Sequence, residues 1–303
     1  MTSRTATERL AASIAGNCPK DGVHETAIPR LHLIRLGGPS APTPVMHSPS
    51  LCVIAQGRKR VWMGERVYEY DAARFLTVSF EVPMVGQVIE ASETEPYLCF
   101  RLDIDPAALG RLILEAGLTD GGDDAVESGV MLSDVTPELG DAAARMVDLL
   151  AAPRDAAILA PMVEREILYR LLTGQHAAVL HRIARSGSRM GGVARAVRWI
   201  GRHYDRAFTI EEVAREAGMS ASALHQHFRT VTAMSPLQYQ KRLRLQEARR
   251  LILFERCDAA TAGHRVGYDS PSQFSREYSR LYGLPPRRDI ERLRASGEML
   301  ETV

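Results

Sequence analysis

Short β-rich runs fill the chain from Leu31 to Asp103, and from Asp105-Pro106 onward the spacing of apolar positions turns helical. The runs are Leu31 to Leu36, Leu51 to Ala55, Val61 to Met63, Arg66 to Tyr70, Phe75 to Val78, Val85 to Ile89 and Tyr97 to Asp103. Their breaks, at Gln56-Gly57, Gly64-Glu65 and Asp71-Ala72, carry turn residues. So many short strands in about seventy residues predict a small antiparallel barrel. Helices are predicted at Ala107 to Ala116, Pro137 to Leu150, Ile158 to Thr173 and Ala177 to Arg185. In the third, Ile158, Met162, Ile167, Leu168, Leu171 and Leu172 form a broad stripe that suits either a homodimer contact or packing on the barrel.

A Gly/Ser stretch from Ser186 to Gly192 reads as a linker and divides residues 1–190 from residues 191–303. Beyond it the chain repeats with a period of 50: Ser220 matches Ser270, Ser222 Ser272, Leu224 Phe274, Phe228 Tyr278, and Pro236 Pro286. Each serine can cap a helix by accepting from first-turn amides. Pro271 and Gln273 complete a start signal in the second copy, and Gly283 with Pro285-Pro286 stops it. A shorter helix precedes each one, from Thr209 to Ala217 and from Asp258 to Val266, with Gly218 and Gly267 at the turns. Two helices joined by a tight glycine turn make a helix-turn-helix, and the unit occurs twice.

The faces of the second helices differ in kind. Leu224, Phe228 and Val231 lie within about 60° of one another, as do Phe274, Tyr278 and Leu281, and form the buried stripes. The opposite arcs carry Ser222, His225, Gln226 and Arg229, and Ser272, Gln273, Ser275, Arg276 and Ser279. Such side chains suit the major groove of double-stranded DNA, where arginine forks onto guanine and Gln or His reaches base edges. Ser235-Pro236 opens a long helix to Phe254, a rigid spacer whose Leu243, Leu251 and Phe254 pack on both units. Its Lys241, Arg242, Arg244, Arg249 and Arg250 are candidates for phosphate contacts, with surface pairs such as Glu247–Arg250 as the plain alternative.

Charge sharpens this picture. The whole chain stands at +1, yet residues 191–303 hold 19 basic and 13 acidic side chains, eighteen of the basic ones arginine, for a net +6 against −5 in residues 1–190. Cys18, Cys52, Cys99 and Cys257 are scattered and read as free thiols. No apolar run suits a membrane span or a secretion signal, so a cytoplasmic protein is expected.

The second half resembles the DNA-binding domain of the AraC/XylS family of bacterial transcription regulators. The similar residues are Ala262, Val266-Gly267-Tyr268, Ser270, Phe274-Ser275-Arg276, Tyr278, Gly283 and Pro286, with Leu243-Arg244, Ala248 and Leu251 in the spacer. The resemblance covers roughly residues 193–293 and implies seven helices and asymmetric promoter sites. Two positions depart from it. Ala233 stands where the first unit ordinarily has glycine, and His225-Gln226 occupy the centre of the first reading helix in place of arginine, which leaves Arg276 as the stronger base reader.

The first half resembles the cupin-like sensor domain of one AraC subfamily, on the segment Pro49 to Ser79. Cupin enzymes hold a metal with clustered histidines. Here His24, His32 and His47 precede most of the strands and no histidine lies between His47 and His176, so neither a metal nor another cofactor is expected. Cys52, Trp62, Tyr68, Tyr70, Phe80 and Arg101 are candidates for touching a small organic effector, and Cys52 with Cys99 for sensing electrophiles. The fold class expected is α+β in two domains, a cupin-like β-barrel with following helices and then an all-α domain. The function expected is a ligand-responsive regulator or activator that works as a homodimer and contacts promoter DNA and RNA polymerase. A cupin-type enzyme fused to a DNA-binding module is the alternative, as is architectural DNA binding without an effector.

Overall fold

The structure, a computed structural model, describes residues 5–118, 128–175, 177, 180–181 and 189–296. The chain opens with helix α1 (Ala6–Asn17), started by a reciprocal box in which Thr5 and Glu8 each bond the other's backbone amide. Among the described residues ten strands follow: β1 (Gly22–Glu25), β2 (Leu31–Leu36), β3 (Thr43–His47), β4 (Ser50–Gln56), β5 (Arg58–Met63), β6 (Arg66–Tyr70), β7 (Arg74–Val78), β8 (Val82–Glu90), β9 (Tyr97–Asp103) and β10 (Val130–Asp134). Helix α2 (Pro106–Glu115) precedes β10, and α3 (Pro137–Asp148) and α4 (Pro153–Thr173) follow it. The predicted helix Ala177 to Arg185 lies largely outside the described residues.

The strands form two antiparallel sheets, β1-β2-β9-β4-β7-β10 and β3-β8-β5-β6. The two-domain α+β class is as expected, but the small barrel is not closed: among the described residues each sheet keeps free edges. One of them, β3, carries Pro44, a residue without an amide donor that suits an edge strand. The six-stranded sheet is buried on both faces, which is why Leu51–Ala55 of β4 and Tyr97–Phe100 of β9 read as unbroken apolar runs. Leu51, Val53, Phe100 and Leu102 meet α1, α2, α3 and α4, while Cys52, Ile54, Tyr97 and Cys99 face the smaller sheet.

Seven further helices complete the described chain: α5 (Arg189–Arg202), α6 (Ile210–Ala217), α7 (Ala221–Thr232), α8 (Pro236–Phe254), α9 (Ala259–Arg265), α10 (Pro271–Tyr282) and α11 (Pro286–Ser296). The end of the expected linker is helical. Gly191 and Gly192 lie within α5, and a Cβ on Gly192 would come 2.8 Å from the carbonyl oxygen of Ala217, so this glycine serves close helix packing. Spacer α8 feeds two cores. Tyr239 and Leu243 join α5, α6 and α7 in a cluster continuous with the space between the sheets, whereas Leu245, Ala248 and Leu251 join α9, α10 and α11. Phe254, expected in the core, is 48 % exposed. Helix α8 packs on β3 and β8 and α10 also touches β3, but the first helical unit shares its core with the sheets whereas the second keeps a core of its own. No helix among the described residues is long and apolar enough to cross a membrane.

Candidate nucleic-acid interface and sensor interior

Helices α7 and α10 start and stop in register, 50 residues apart. Ser220 Oγ accepts from the Ala223 amide and Ser270 Oγ from the Gln273 amide, both through the first turn. The predicted capping box at Ser270 forms by half, because the Gln273 side chain turns instead to Glu277 at 3.4 Å. Both helices end on a left-handed residue, Ala233 (φ +58°) and Gly283 (φ +79°). The preceding turns use Gly218 and Gly267. At Gly267 (φ +88°) a Cβ would fall 1.9 Å from the Asp205 carbonyl oxygen, so only glycine fits.

The apolar stripes are buried as expected, with Tyr282 rather than Leu281 closing the second. Ser222, His225, Gln226 and Arg229 of α7 are exposed, as are Ser272, Gln273 and Arg276 of α10, and Ser275 is half-buried. Neither Arg229 nor Arg276 has a hydrogen bond or ion pair among the described residues. Free guanidinium groups on a rigid helix are what bidentate base contact requires.

Two spacer arginines correct the sequence expectation. Arg249 is 1 % exposed: its guanidinium forks onto Asp289 at 2.9 and 3.3 Å and lies 4.3 Å from the Tyr282 ring. Tyr278 Oη donates to the same carboxylate at 2.9 Å. Arg249 therefore ties α8 to α10 and α11 and cannot meet phosphate. Arg244 donates to the carbonyls of Tyr204 and Gly267, at 2.6 and 2.7 Å, and pins the second turn to the end of α5. Arg250 pairs with Glu247 and Glu255, and Lys241 with Glu277. The spacer holds the two readers at a fixed separation and uses most of its cations internally.

The space between the sheets gathers another set. Strand alternation turns Lys59, Val61 and Met63 of β5 inward and leaves Arg58, Arg60 and Trp62 outside. Trp62 is thus no inward effector contact; it lies half-buried beneath the Arg60 guanidinium at 5.8 Å. Cys52, Tyr70 and Arg101 are brought together from β4, β6 and β9, with Cys99 beside them. Tyr68 reaches Ser128 Oγ at 2.8 Å, and Phe80 is buried core. His47, at the end of β3, is 6 % exposed; burial first, then the Lys59 and Arg101 charges, hold its imidazole neutral. A hydrogen bond with Cys99 and the charges of Arg101 and Lys59 draw the Cys52 thiol down to about 7 against the pull of burial. Cys99 is held protonated by the same bond. Outside this interior, a cleft of about 460 Å³ opens between the sheets and the first helical unit, lined by Met46, Glu81, Arg198, Tyr204 and Leu243.

A sequence profile of the AraC-type transcriptional regulator N-terminus matches residues 27–179, half of the chain, and a helix-turn-helix domain profile matches residues 213–292. The chain belongs to the AraC-type transcriptional regulators. An AraC-like transcription regulator of Streptomyces lividans is 27% identical over 280 residues, covering 78% of this chain and 91% of its own length. A thc operon regulatory protein of Rhodococcus erythropolis is 28% identical over 146 residues, 45% of this chain and 43% of its own. The chain therefore spans less than half of that second relative. ToxT of Vibrio cholerae shares the fold across 90% of this chain and 98% of its own, with a TM-score of 0.54 at 11% identity; a ToxT structure bound to an unsaturated fatty acid gives 0.51. This AraC-type protein is thus a transcription regulator with an AraC-type N-terminal domain and a C-terminal helix-turn-helix domain.

Lys59 and His47 were missed in the AraC-type sensor from sequence alone. The signal for Lys59 was present, since Val61 and Met63 share its strand parity. His47 gave none, because β3 is a short edge strand containing proline.

Proposed function

We propose that this regulator reads an asymmetric promoter element with α7 and α10, through Ser222, His225, Gln226 and Arg229 in one block and Ser272, Gln273, Ser275 and Arg276 in the other. The observation that carries this is the pair of serine-capped helices in register, each burying its apolar stripe and exposing short or fork-tipped polar side chains. A small organic effector acts from the sensor, on the interior formed by Cys52, Tyr70 and Arg101, and biases the docking of the first unit on the sheets. The division between sensor and reader falls near residue 190. The protein works as a regulator and not as an enzyme, in the cytoplasm, as a homodimer, and contacts RNA polymerase at its promoters. The absence of any histidine between His47 and His176 supports the non-enzymatic reading.

The test uses the full chain, because α5, α6 and α7 share their core with the sheets. Duplexes are selected from a random pool, and the winner is titrated against a scramble at two salt concentrations. A site of two blocks about one helical turn apart, bound far tighter than the scramble, is the expected result. Binding that ignores sequence and vanishes with salt would leave the arginines only phosphate to grip.

A further inference from the structure

We propose that the space between the two sheets is an anion site, and that the effector is an organic carboxylate whose head seats against Lys59 and His47. This rests on the effector-controlled reading above and adds the chemical class that the sensor selects.

Lys59 is one of three lysines in the chain, and it is the inward one. Its neighbours Arg58 and Arg60 point outward and pair with Glu69 and Glu90. Lys59 is 8 % exposed, and its stem lies over Gly86, where a Cβ would stand 3.1 Å from Cε and 3.5 Å from Nζ. Among the described residues its ammonium has no acidic partner and no hydrogen bond. The carboxylate on this side of the larger sheet is already engaged: Asp103 takes Arg101 at 2.9 Å and His32 at 3.2 Å. His47 adds a buried Nδ1 without a partner.

A lysine is almost never this buried unless paired, because stripping water from an ammonium is costly and only a nearby anion offsets it. No carboxylate among the described residues supplies that charge to Lys59, whose field otherwise reaches the Cys52 thiol, and the neutral His47 ring can donate a second bond to a carboxylate. The surroundings set the rest of the ligand. Val61, Met63, Leu76 and Val88 share the same core cluster, so an apolar body can follow a charged head, which a free phosphate would not exploit. Seating the anion there joins β3 to β5, the strands flanking β8, on the sheet that carries α8.

The full chain, Lys59→Met and the surface control Lys241→Met are titrated calorimetrically with hexanoate and benzoate, and with hexanol and benzyl alcohol as neutral counterparts. Thermal midpoints are recorded alongside. Both carboxylates are expected to bind and stabilise the wild-type chain and Lys241→Met, and the alcohols to have little effect. Lys59→Met is expected to lose at least about tenfold in carboxylate affinity. Below pH 7, where Cys52 is a neutral thiol, it is also expected to melt no lower than wild type without ligand, since it removes an uncompensated charge. A Lys59→Met chain that melts lower at that pH or fails to fold overturns the proposal, because Lys59 then has a structural partner. Alcohols binding as well as the carboxylates, or no carboxylate response, or a response that survives Lys59→Met, as binding at Arg198 in the cleft would, overturns it too. Retention of the selected duplex during such a failure confines the error to the anion site, whereas loss of sequence-specific binding removes the regulator reading beneath it.

Discussion

Gly64, in the turn between β5 and β6, lies against Ala233, the residue that closes the first reading helix: a Cβ on Gly64 would come 2.8 Å from that of Ala233 and 3.0 Å from its carbonyl oxygen. Both residues are left-handed, at φ +62° and +58°. Beside them the Gly129 amide donates to the Val231 carbonyl at 3.1 Å, so the sensor satisfies an otherwise orphaned group at the end of α7. Tyr239 Oη completes the clasp by donating to the Glu81 carbonyl at 2.8 Å. Alanine in place of the family's glycine has a physical reason here, since its methyl reaches the sensor.

Gly64→Ala should cost about 1–2 kcal/mol, from strain at positive φ and from the collision with Ala233. Ala233→Gly relieves the left-handed strain but gives up the methyl contact. If the clasp couples the domains, the double variant recovers part of the Gly64→Ala loss, with an interaction energy above about 0.5 kcal/mol by denaturant unfolding. Strictly additive losses would show that the two residues touch without consequence.

Arg249 and Arg276 should fail in opposite ways. Arg249→Ala leaves the buried Asp289 carboxylate with only Arg292 and Tyr278 as partners among the described residues, opens a void in the core of the second unit and should cost about 3 kcal/mol of stability. Any loss of DNA binding then follows from the unfolded fraction and is the same on every sequence. Arg276→Ala leaves the melting curve in place, costs about 1–3 kcal/mol on the selected site and relaxes base choice there. Equal losses for Arg276→Ala on selected and random duplex would remove it from base reading.

The Cys52 thiol gives a signed pH dependence. Its folded value of about 7 lies below the ordinary 9.0, so between those pH values the unfolded chain binds more protons than the folded one. Stability from this group is complete above pH 9 and is lost as pH falls through 7. Cys99 shifts the other way and stays protonated across that window, so its influence lies at higher pH. Unfolding measured from pH 7 to 9 should rise in wild type, flatten in Cys52→Ala, and shift its rise upward in Lys59→Met, which removes one of the charges that favour the thiolate. An unchanged slope in Cys52→Ala would place the titration elsewhere.

The helical half was legible because its signals are local. Serine caps, glycine turns and the 50-residue period put α7 and α10 at their observed positions before any contact was known. What escaped was set by tertiary contact. Arg249 looks like any other arginine on an arginine-rich helix until Asp289, 40 residues on, arrives beneath it. In the sensor, β2, β6 and β9 were placed residue for residue, whereas α1, β1, β3 and β10 were not. Strands β1 and β3 are four and five residues long and mix His, Glu or Pro with their apolar positions, so pairing across the sheet, not propensity, makes them strands.

The predicted stripe on α4 divides in two, and its outer part makes the last prediction. Ile167, Leu168, Leu171 and Leu172 are buried against the sheet and its helices, while Ile158 and Met162 stand 69 % and 63 % exposed, with Tyr169 further along the same face. Leu114 of α2, 83 % exposed, extends this face beside the Arg165–Glu115 pair. Apolar side chains grouped in this way mark contact surfaces, and the spacing of 158, 162, 165 and 169 is that of a helix seam. An Ile158→Asp, Met162→Asp chain should therefore drop from a two-chain to a one-chain mass by light scattering. It should lose no more than about 0.5 kcal/mol of monomer stability, because both positions already face water there. A wild-type chain that is monomeric at micromolar concentration, or a variant that stays dimeric, would move the dimer contact off this face.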